Sequence, residues 1–285
     1  MTILDGAMGT ELARRGANTS LPLWSANALL DDPGLVRAIH AEYVAAGADM
    51  LTANTFRTTT RTLRLAGLPD RSAELTRLAV SLAREACTMS PDRTVRVAGS
   101  IGPLEDCYHP ERVPSDVELA AEHTVHARRL AEAAVDLLLV ETMGTAREAE
   151  AACRAAQSTG LPTIVSFLCD GSGNLYDGQP LEDAVTRVAR CKPEALSINC
   201  VSPRVIDRAI DRLTRATSLP FGVYANVGLP GAEREEAMTC DIAPEEYAAY
   251  VRHWIGRGAT FVGGCCGTTP EYIRCIRDLV IGRVP

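Results

Sequence analysis

The chain has 285 residues, 46% of them hydrophobic and 23% charged, and 36 acidic side chains outnumber 29 basic ones for a formal charge of −7. This composition suits a globular fold with a large core, and the acidic balance argues against nucleic acid or an anionic membrane as the main partner. No apolar run is long enough to span a bilayer, and the opening "MTILDGAMG" lacks the basic and apolar segments of a leader, so a cytoplasmic protein is expected.

Along the chain one rhythm repeats: a short apolar run, a loop, then an amphipathic helix. The runs are "TILD", "DMLTANTF", "VRVAGS", "DLLLVET", "PTIVSFL", "ALSINC", "PFGVYAN" and "TFVGGC". The first long helix, "DDPGLVRAIHAEYVAAG", is expected to open at Asp32-Pro33, bury Val36, Ile39 and Tyr43, and stop at Gly47. In "SDVELAAEH", Ser115 and Glu118 have the spacing of a capping box. "APEEYAAYVRHWIGRG" repeats the proline start and glycine stop, with Tyr247, Val251 and Trp254 inward, and a last helix begins at "TTPEYI". Strands alternating with helices imply a parallel sheet, and eight such units fit a closed (β/α)8 TIM barrel, typically about 250 residues long. With no linker or low-complexity stretch, one barrel domain over 1–285 is expected.

Functional residues of such a barrel sit where the strands end. Those positions hold Asp5, Asn54, Thr55, Ser100, Glu141, Thr142, Cys169, Asn199, Cys200, Asn226, Cys265 and Cys266. In the cytoplasm the 10 cysteines are expected as free thiols, and a lone one on a helix, such as Cys87, Cys153 or Cys275, reads as core. Adjacent Cys265 and Cys266 in "GGCCGTTP" raise three alternatives. A redox pair normally uses C-x-x-C spacing. A glycine-rich turn after the last strands of a barrel also binds phosphate. The third alternative is metal: Cys200, closing the sixth run, supplies a third soft ligand, and three thiolates suit Zn²⁺ with a fourth position open. Neighbouring side chains on a regular strand point apart, so Gly263, Gly264 and Gly267 are expected to bend the backbone until both sulfurs face one ion.

In order along the chain, "LDGAMGTEL", "GADMLTANTF", "GSIGP", "ET", "INC" and "GGCCGTTP" resemble the homocysteine S-methyltransferases nearly end to end. The resemblance implies a (β/α)8 barrel holding one zinc ion through Cys200, Cys265 and Cys266, with Asn226 a candidate fourth ligand or near neighbour before substrate binds. It further implies that Asp5 and Glu141 receive the amino group of homocysteine, that Asn54 and Thr55 line its site, and that backbone amides of the "DGAMG" turn, at Gly6 and Ala7, help hold it. No residue of the chain is then needed as a base, because zinc itself ionises the substrate thiol.

The donor side is written less uniformly. "LPLWSAN" resembles the enzymes that use S-methylmethionine, and the face of Trp24 would hold a sulfonium by cation–π attraction. "ANTFRTTT" and "YANVGLPG" look more like the homocysteine module of cobalamin-dependent methionine synthase, which here would require a separate corrinoid protein. Arg57 suits a cationic donor only if it points away or pairs with the donor's carboxylate. Two departures from the family pattern, Ala53 for a threonine and Ala225 for a proline, are expected to alter substrate fit and loosen the turn before Asn226. Cys107, Tyr108 and His109 follow "GSIGP" and either shape the donor pocket or pack the loop; Cys169 is a candidate neighbour of the zinc. His123 and His126, three apart on one helix, are expected on a solvated face. The resulting expectation is a zinc-dependent enzyme that makes methionine from homocysteine, with S-methylmethionine or another sulfonium as donor. The alternatives are a methyltransferase on a related thiol, a corrinoid-coupled subunit, a phosphate-binding barrel and a non-catalytic zinc or thiol regulator.

Overall fold

The computed structural model describes residues 1–228 and 241–282 in full, and the backbone of 230–231 and 234–238 between them. In chain order the strands are β1 (Thr2–Ile3), β2 (Met50–Ala53), β3 (Arg96–Ile101), β4 (Leu137–Met143), β5 (Thr163–Phe167), β6 (Ala195–Asn199), β7 (Phe221–Ala225), a hairpin of β8 (Pro230–Gly231) and β9 (Arg234–Met238), and β10 (Phe261–Gly264). The helices are α1 (Gly9–Arg14), α2 (Asn27–Asp31), α3 (Pro33–Ala46), α4 (Thr60–Leu65), α5 (Ser72–Cys87), α6 (Asp116–Glu132), α7 (Ala146–Gln157), α8 (Leu181–Ala189), α9 (Pro203–Ala216), α10 (Pro244–Gly256) and α11 (Pro270–Val280).

All eight expected runs become strands of one parallel sheet, ordered β1-β10-β7-β6-β5-β4-β3-β2. The ends meet through a parallel bridge between Leu4 and Met50, with the Asp5 N–H donating to Met50 O at 2.9 Å. The sheet is therefore a closed (β/α)8 barrel, as the alternation of runs and helices predicts. The β8–β9 hairpin has no counterpart in the expected elements.

Alternation along each strand divides the apolar residues in two. Leu137 and Leu139 of β4 join Leu4, Met50, Ala98, Ile164, Ala195, Tyr224 and Phe261 in a core inside the barrel. Leu138 and Val140 point outward into the larger core between sheet and helices. The helix signals hold: Asp32 caps α3 and Gly47 ends it at φ 112°, Ser115 and Glu118 form both halves of a capping box on α6, and Tyr247, Val251 and Trp254 are buried on α10. Of the helix cysteines, Cys153 is buried, whereas Cys87 and Cys275 are half-buried.

His123 and His126 correct the expectation of a solvated face. Both are fully buried, on the stripe of α6 that also carries Leu119, Ala127 and Leu130. His123 Nε2 lies 3.2 Å from Glu148 Oε1, and His126 Nε2 lies 3.3 Å from Ser100 O. Burial holds the His126 imidazole down at about 4, so it is neutral.

Tyr43 of α3 ties the first and last strand ends together. Its hydroxyl donates to Ala7 O at 2.8 Å and lies 3.1 Å from Thr268 O, while the Ala7 N–H donates to Thr268 Oγ1 at 3.1 Å. Tyr43→Phe strands those carbonyls in the interior and should lower unfolding free energy by about 1–2 kcal/mol. Equilibrium urea denaturation of the two proteins checks this.

Candidate metal centre and substrate pocket

Cys200, Cys265 and Cys266 converge at the mouth of the barrel, their sulfurs all within 4.8 Å of one another and those of Cys200 and Cys266 at 3.9 Å. Tetrahedral zinc with Zn–S bonds of about 2.3 Å sets its sulfurs about 3.8 Å apart, so this trio fits the ion. Hydrogen bonds from Cys265 and Cys266 draw the Cys200 thiol well below its ordinary range, against its burial, and the same contacts push the other two thiols well up. Three crowded sulfurs hold one negative charge readily and three only beside a cation.

The backbone reaches this geometry differently from the expectation. β10 stays regular to Gly264, and both cysteines lie beyond it, in the turn before α11. Of the three glycines only Gly267 is left-handed, at φ 84°. Gly263 and Gly264 serve close packing instead: a Cβ on the former would stand 2.6 Å from the Leu4 side chain, and on the latter it would collide with Thr268. Cys200 is itself left-handed at φ 60°, a conformation that non-glycine residues seldom adopt.

Asn226 holds both cysteine turns. Its Nδ2 donates to Cys200 O at 2.9 Å, and its Oδ1 accepts the Cys266 N–H at 3.0 Å. The carboxamide expected as a fourth ligand is thus engaged at both ends as a strut. Three more amides of the turn are bonded within the protein, Cys265 to Ala225 O, Gly267 to Thr10 Oγ1 and Thr268 to Cys265 O, so these donors do not face a phosphate. Nor are Cys265 and Cys266 bridged; every described cysteine is free, Cys240 lying outside the described residues. Ala225 does not loosen the turn: its N–H, which a proline would lack, donates to Tyr247 Oη at 2.9 Å, and that hydroxyl donates to Gly263 O at 2.8 Å.

Beside the sulfurs stand two buried carboxyls. Asp5 accepts the Thr52 N–H at 2.8 Å and the Thr52 hydroxyl at 2.9 Å. Glu141 accepts the Ser100 hydroxyl and, at 3.1 Å, that of Tyr224. Burial raises Asp5 to about 8 and Glu141 to about 7, and the charge of Glu141 adds to the rise at Asp5. A cation between them would restore both to the ionised form. Glu141 is aimed by a shift of register between Val140 and Met143, where Thr142 takes φ 63°. Asn199 fixes that turn, accepting the Thr142 N–H at 3.0 Å and donating to its hydroxyl at 2.9 Å.

The same cavity is walled by Gly6, Trp24, Asn54, Phe56, Arg57, Cys107 and Tyr108, among others. Trp24 packs on Gly9, where a Cβ would collide with the indole, and meets Phe56 edge-on at 6.0 Å. Asn54 faces the cavity with its Nδ2 donating to Ser25 O at 2.9 Å. Tyr108 Oη approaches Cys200 Sγ at 3.6 Å.

Several expected residues have other employment. Thr55 is buried off the wall, joining β2 to β3 through Ser100 O at 2.9 Å and the Ser100 N–H at 3.0 Å. Ala7 lines the cavity, but its N–H is spent on Thr268, leaving Gly6 as the better amide of that turn. Cys169 pairs with Leu175 outside the sulfur cluster, its thiol pushed up by burial to about 12. His109 bonds Glu111 at 2.9 Å away from the cavity. Thr52 and Tyr224, which complete the carboxyl pair, escaped the sequence reading. Their signal was alternation: Thr52 follows Met50 into the barrel, and Tyr224 alternates with Val223, which points outward.

Asn226→Ala should weaken zinc binding about 10- to 100-fold while Cys200, Cys265 and Cys266 remain, as loss of a ligand's supporting bonds does elsewhere. Competition against a chromophoric chelator measures it. The carboxyls predict a pH dependence. Their folded pKa values of about 8 and 7 lie above the ordinary 3.8 and 4.5, so the folded state retains protons that the unfolded chain releases. Their contribution to stability is full at the acid end and is lost as pH rises through 7 and 8, by at most about 1.4 kcal/mol per pH unit for each group. Relative to wild type, the Asp5→Asn, Glu141→Gln double variant should gain stability from pH 5 upward, less steeply above about 7, and level off above about 8, as denaturant midpoints will show.

The sequence model of the homocysteine S-methyltransferase family matches residues 2–280. Homocysteine S-methyltransferase of Escherichia coli is 34% identical over 96% of this chain and 94% of its own length, and a selenocysteine Se-methyltransferase of Brassica oleracea is 30% identical over 99% and 89%. The solved homocysteine methyltransferase MmuM of Escherichia coli, in a metallated form, superposes with a TM-score of 0.85 at 33% identity, covering 97% of this chain and 95% of that one. The chain belongs to the homocysteine S-methyltransferase family, whose reaction is methyl transfer to the thiol of homocysteine.

Proposed function

We propose that this protein is a cytoplasmic, zinc-dependent enzyme that moves a methyl group from S-methylmethionine, or another sulfonium, to the sulfur of L-homocysteine, yielding methionine. The observation that carries the reading is the placement of three mutually close sulfurs and a buried carboxyl pair on the walls of one cavity. Cys200, Cys265 and Cys266 hold the ion. When bound, zinc supplies the Lewis acidity that keeps a thiol ionised near neutral pH.

The remaining work falls to the chain. Asp5 and Glu141 receive the ammonium of homocysteine, and this contact orients its thiol toward the cysteines. Their burial makes the recognition selective, because either carboxyl ionises readily only when a cation arrives. Gly6 offers an amide to the carboxylate. Trp24 presents an aromatic face to the onium centre of the donor, whose charge disappears as the methyl group leaves. Catalysis is then a matter of aligning the two sulfurs on either side of the methyl carbon in a site shielded from water.

Purified protein should carry about one zinc per chain. Cys200→Ser should lose most of that metal and reduce methionine formation by at least about 100-fold; a variant keeping both metal and turnover would sink the assignment. A panel of S-methylmethionine, S-adenosylmethionine, glycine betaine and methylcobalamin should give the fastest turnover with the first. Turnover with methylcobalamin alone would favour a separate corrinoid protein as donor, and metal and homocysteine binding with no turnover would make this a regulator.

A further inference from the structure

Beyond the cysteines and the carboxyl pair, the cavity holds the guanidinium of Arg57. It lies in the loop between β2 and α4, on the wall that also carries Trp24, Phe56, Asp106 and Cys107. Its Cζ is 5.5 Å from the centre of the Phe56 ring, and that ring is 6.0 Å from Trp24. Arg57 makes no ion pair among the described residues. Its Nε is buried without a partner, and its Nη1 reaches only Glu105 O, at a long 3.5 Å. Four residues on, Arg61 shows how this region treats an arginine with no ligand to meet: it pairs with Glu105, Glu118 and Glu122 at 2.6–2.8 Å.

A half-buried guanidinium, with its Nε buried and unbonded beside an aromatic pair, makes demands on what binds there. Buried donors cost free energy until bonded, and guanidinium is matched by a carboxylate in a planar, two-bond fit. A ligand carrying only positive charge would be repelled. One carrying a cation and, a few bonds away, a carboxylate would place the cation on Trp24 and the carboxylate on Arg57. We propose that Arg57 binds the α-carboxylate of the methyl donor, so that the enzyme takes sulfonium amino acids and discriminates against onium donors that lack the acid group.

This assignment rests on the sulfonium-donor reading above. The charges of homocysteine are met elsewhere, at Asp5, Glu141 and Gly6 on the ends of the strands. Arg57 lies in the loop beyond β2, yet on the same cavity as the sulfurs, whose wall runs from Arg57 through Cys107 and Tyr108 to Cys200, with Tyr108 Oη 3.6 Å from Cys200 Sγ. Asp106 on the same wall gives the donor's ammonium a counter-charge.

The test is calorimetric binding of S-methylmethionine and of its α-carboxamide to zinc-loaded wild-type, Arg57→Met and Arg57→Lys proteins, with homocysteine affinity measured on each. The wild type should prefer the carboxylate form about 30- to 100-fold, Arg57→Met less than about 5-fold, and Arg57→Lys in between. Homocysteine affinity should stay within about twofold throughout, which also shows that the variants fold. An Arg57→Met protein that keeps the preference, or loses homocysteine affinity instead, overturns the assignment of Arg57 and leaves the donor reading standing. A wild type that binds neither sulfonium overturns the donor reading, and the role of Arg57 with it.

Discussion

Three non-glycine residues on the cavity sit in left-handed backbone, Trp24, Thr142 and Cys200, and the carboxyl and cysteine turns exist only while the last two are held there. Such conformations cost of order 1–3 kcal/mol each in a non-glycine residue, so they persist only under restraint. For Thr142 and Cys200 the restraint is a buried asparagine at the end of another strand, two strands away for Thr142 and adjacent for Cys200, bonded from both ends of its carboxamide. Asn199 grips Thr142, and the adjacent Glu141 turns into the cavity; Asn226 grips Cys200 O and the Cys266 N–H and brings their sulfurs together. An alanine at either position would release a strained turn as well as remove hydrogen bonds.

These two clamps belong to a ring of hydrogen bonds that runs around the strand ends. Asp5 to Thr52 joins β1 to β2, Thr55 to Ser100 joins β2 to β3, and Ser100 to Glu141 joins β3 to β4. Asn199 then links the ends of β4, β5 and β6 through Thr142 and Ser166, and Asn226 connects the end of β6 to the cysteine turn after β10. Ala7 to Thr268 returns to the first strand. Binding groups and structural groups are therefore the same side chains, or immediate neighbours, in one network. Such a network holds its members in place cooperatively, which is what positioning catalysis requires.

The ring also explains which parts of the site could be read in advance. Three cysteines closing two strands have few uses as unbridged thiols, so Cys200, Cys265 and Cys266 were legible from type and position, as were the helix caps. Hydroxyl and amide residues at the same level were not. A threonine or asparagine ending a strand either faces the cavity or stitches the rim, and the choice depends on local backbone turns that alternation does not encode. Thr55 was expected to line the substrate site and is a stitch. Of the two roles expected for Asn226, ligand or near neighbour of the metal, its bonds to Cys200 O and the Cys266 N–H fit the second. Thr52 and Tyr224 were passed over and position the carboxyls. The histidines of α6 failed for a related reason. A polar residue on a helix reads as exposed unless its register with Leu119 and Leu130 is followed, and neutral imidazole can be buried where an ionised group cannot. The expected bend at Gly263 and Gly264 is not found: they make room, and of the three glycines only Gly267, beyond β10, takes left-handed backbone.

The arrangement of charge along the cavity gives the two substrates an order of preference by position. The inner wall carries acid groups and sulfurs, Asp5, Glu141 and the three cysteines, so it favours cations and disfavours any carboxylate that cannot reach a backbone amide. The outer wall carries Arg57 beside aromatic rings, so it favours a carboxylate next to an apolar or onium group. On the proposed reaction the two substrates would be amino acids of nearly the same size with the same ammonium and carboxylate, so Asp5 and Glu141 alone do not separate them. The sulfur cluster would, because a metal held there ligates and ionises a thiol and has no such bond to offer a sulfonium. A donor whose carboxylate meets Arg57, as proposed, would present its methyl group toward the sulfurs. The direction of transfer would then follow from where each substrate finds its partner, the thiol at the cysteines and the donor's acid group at Arg57.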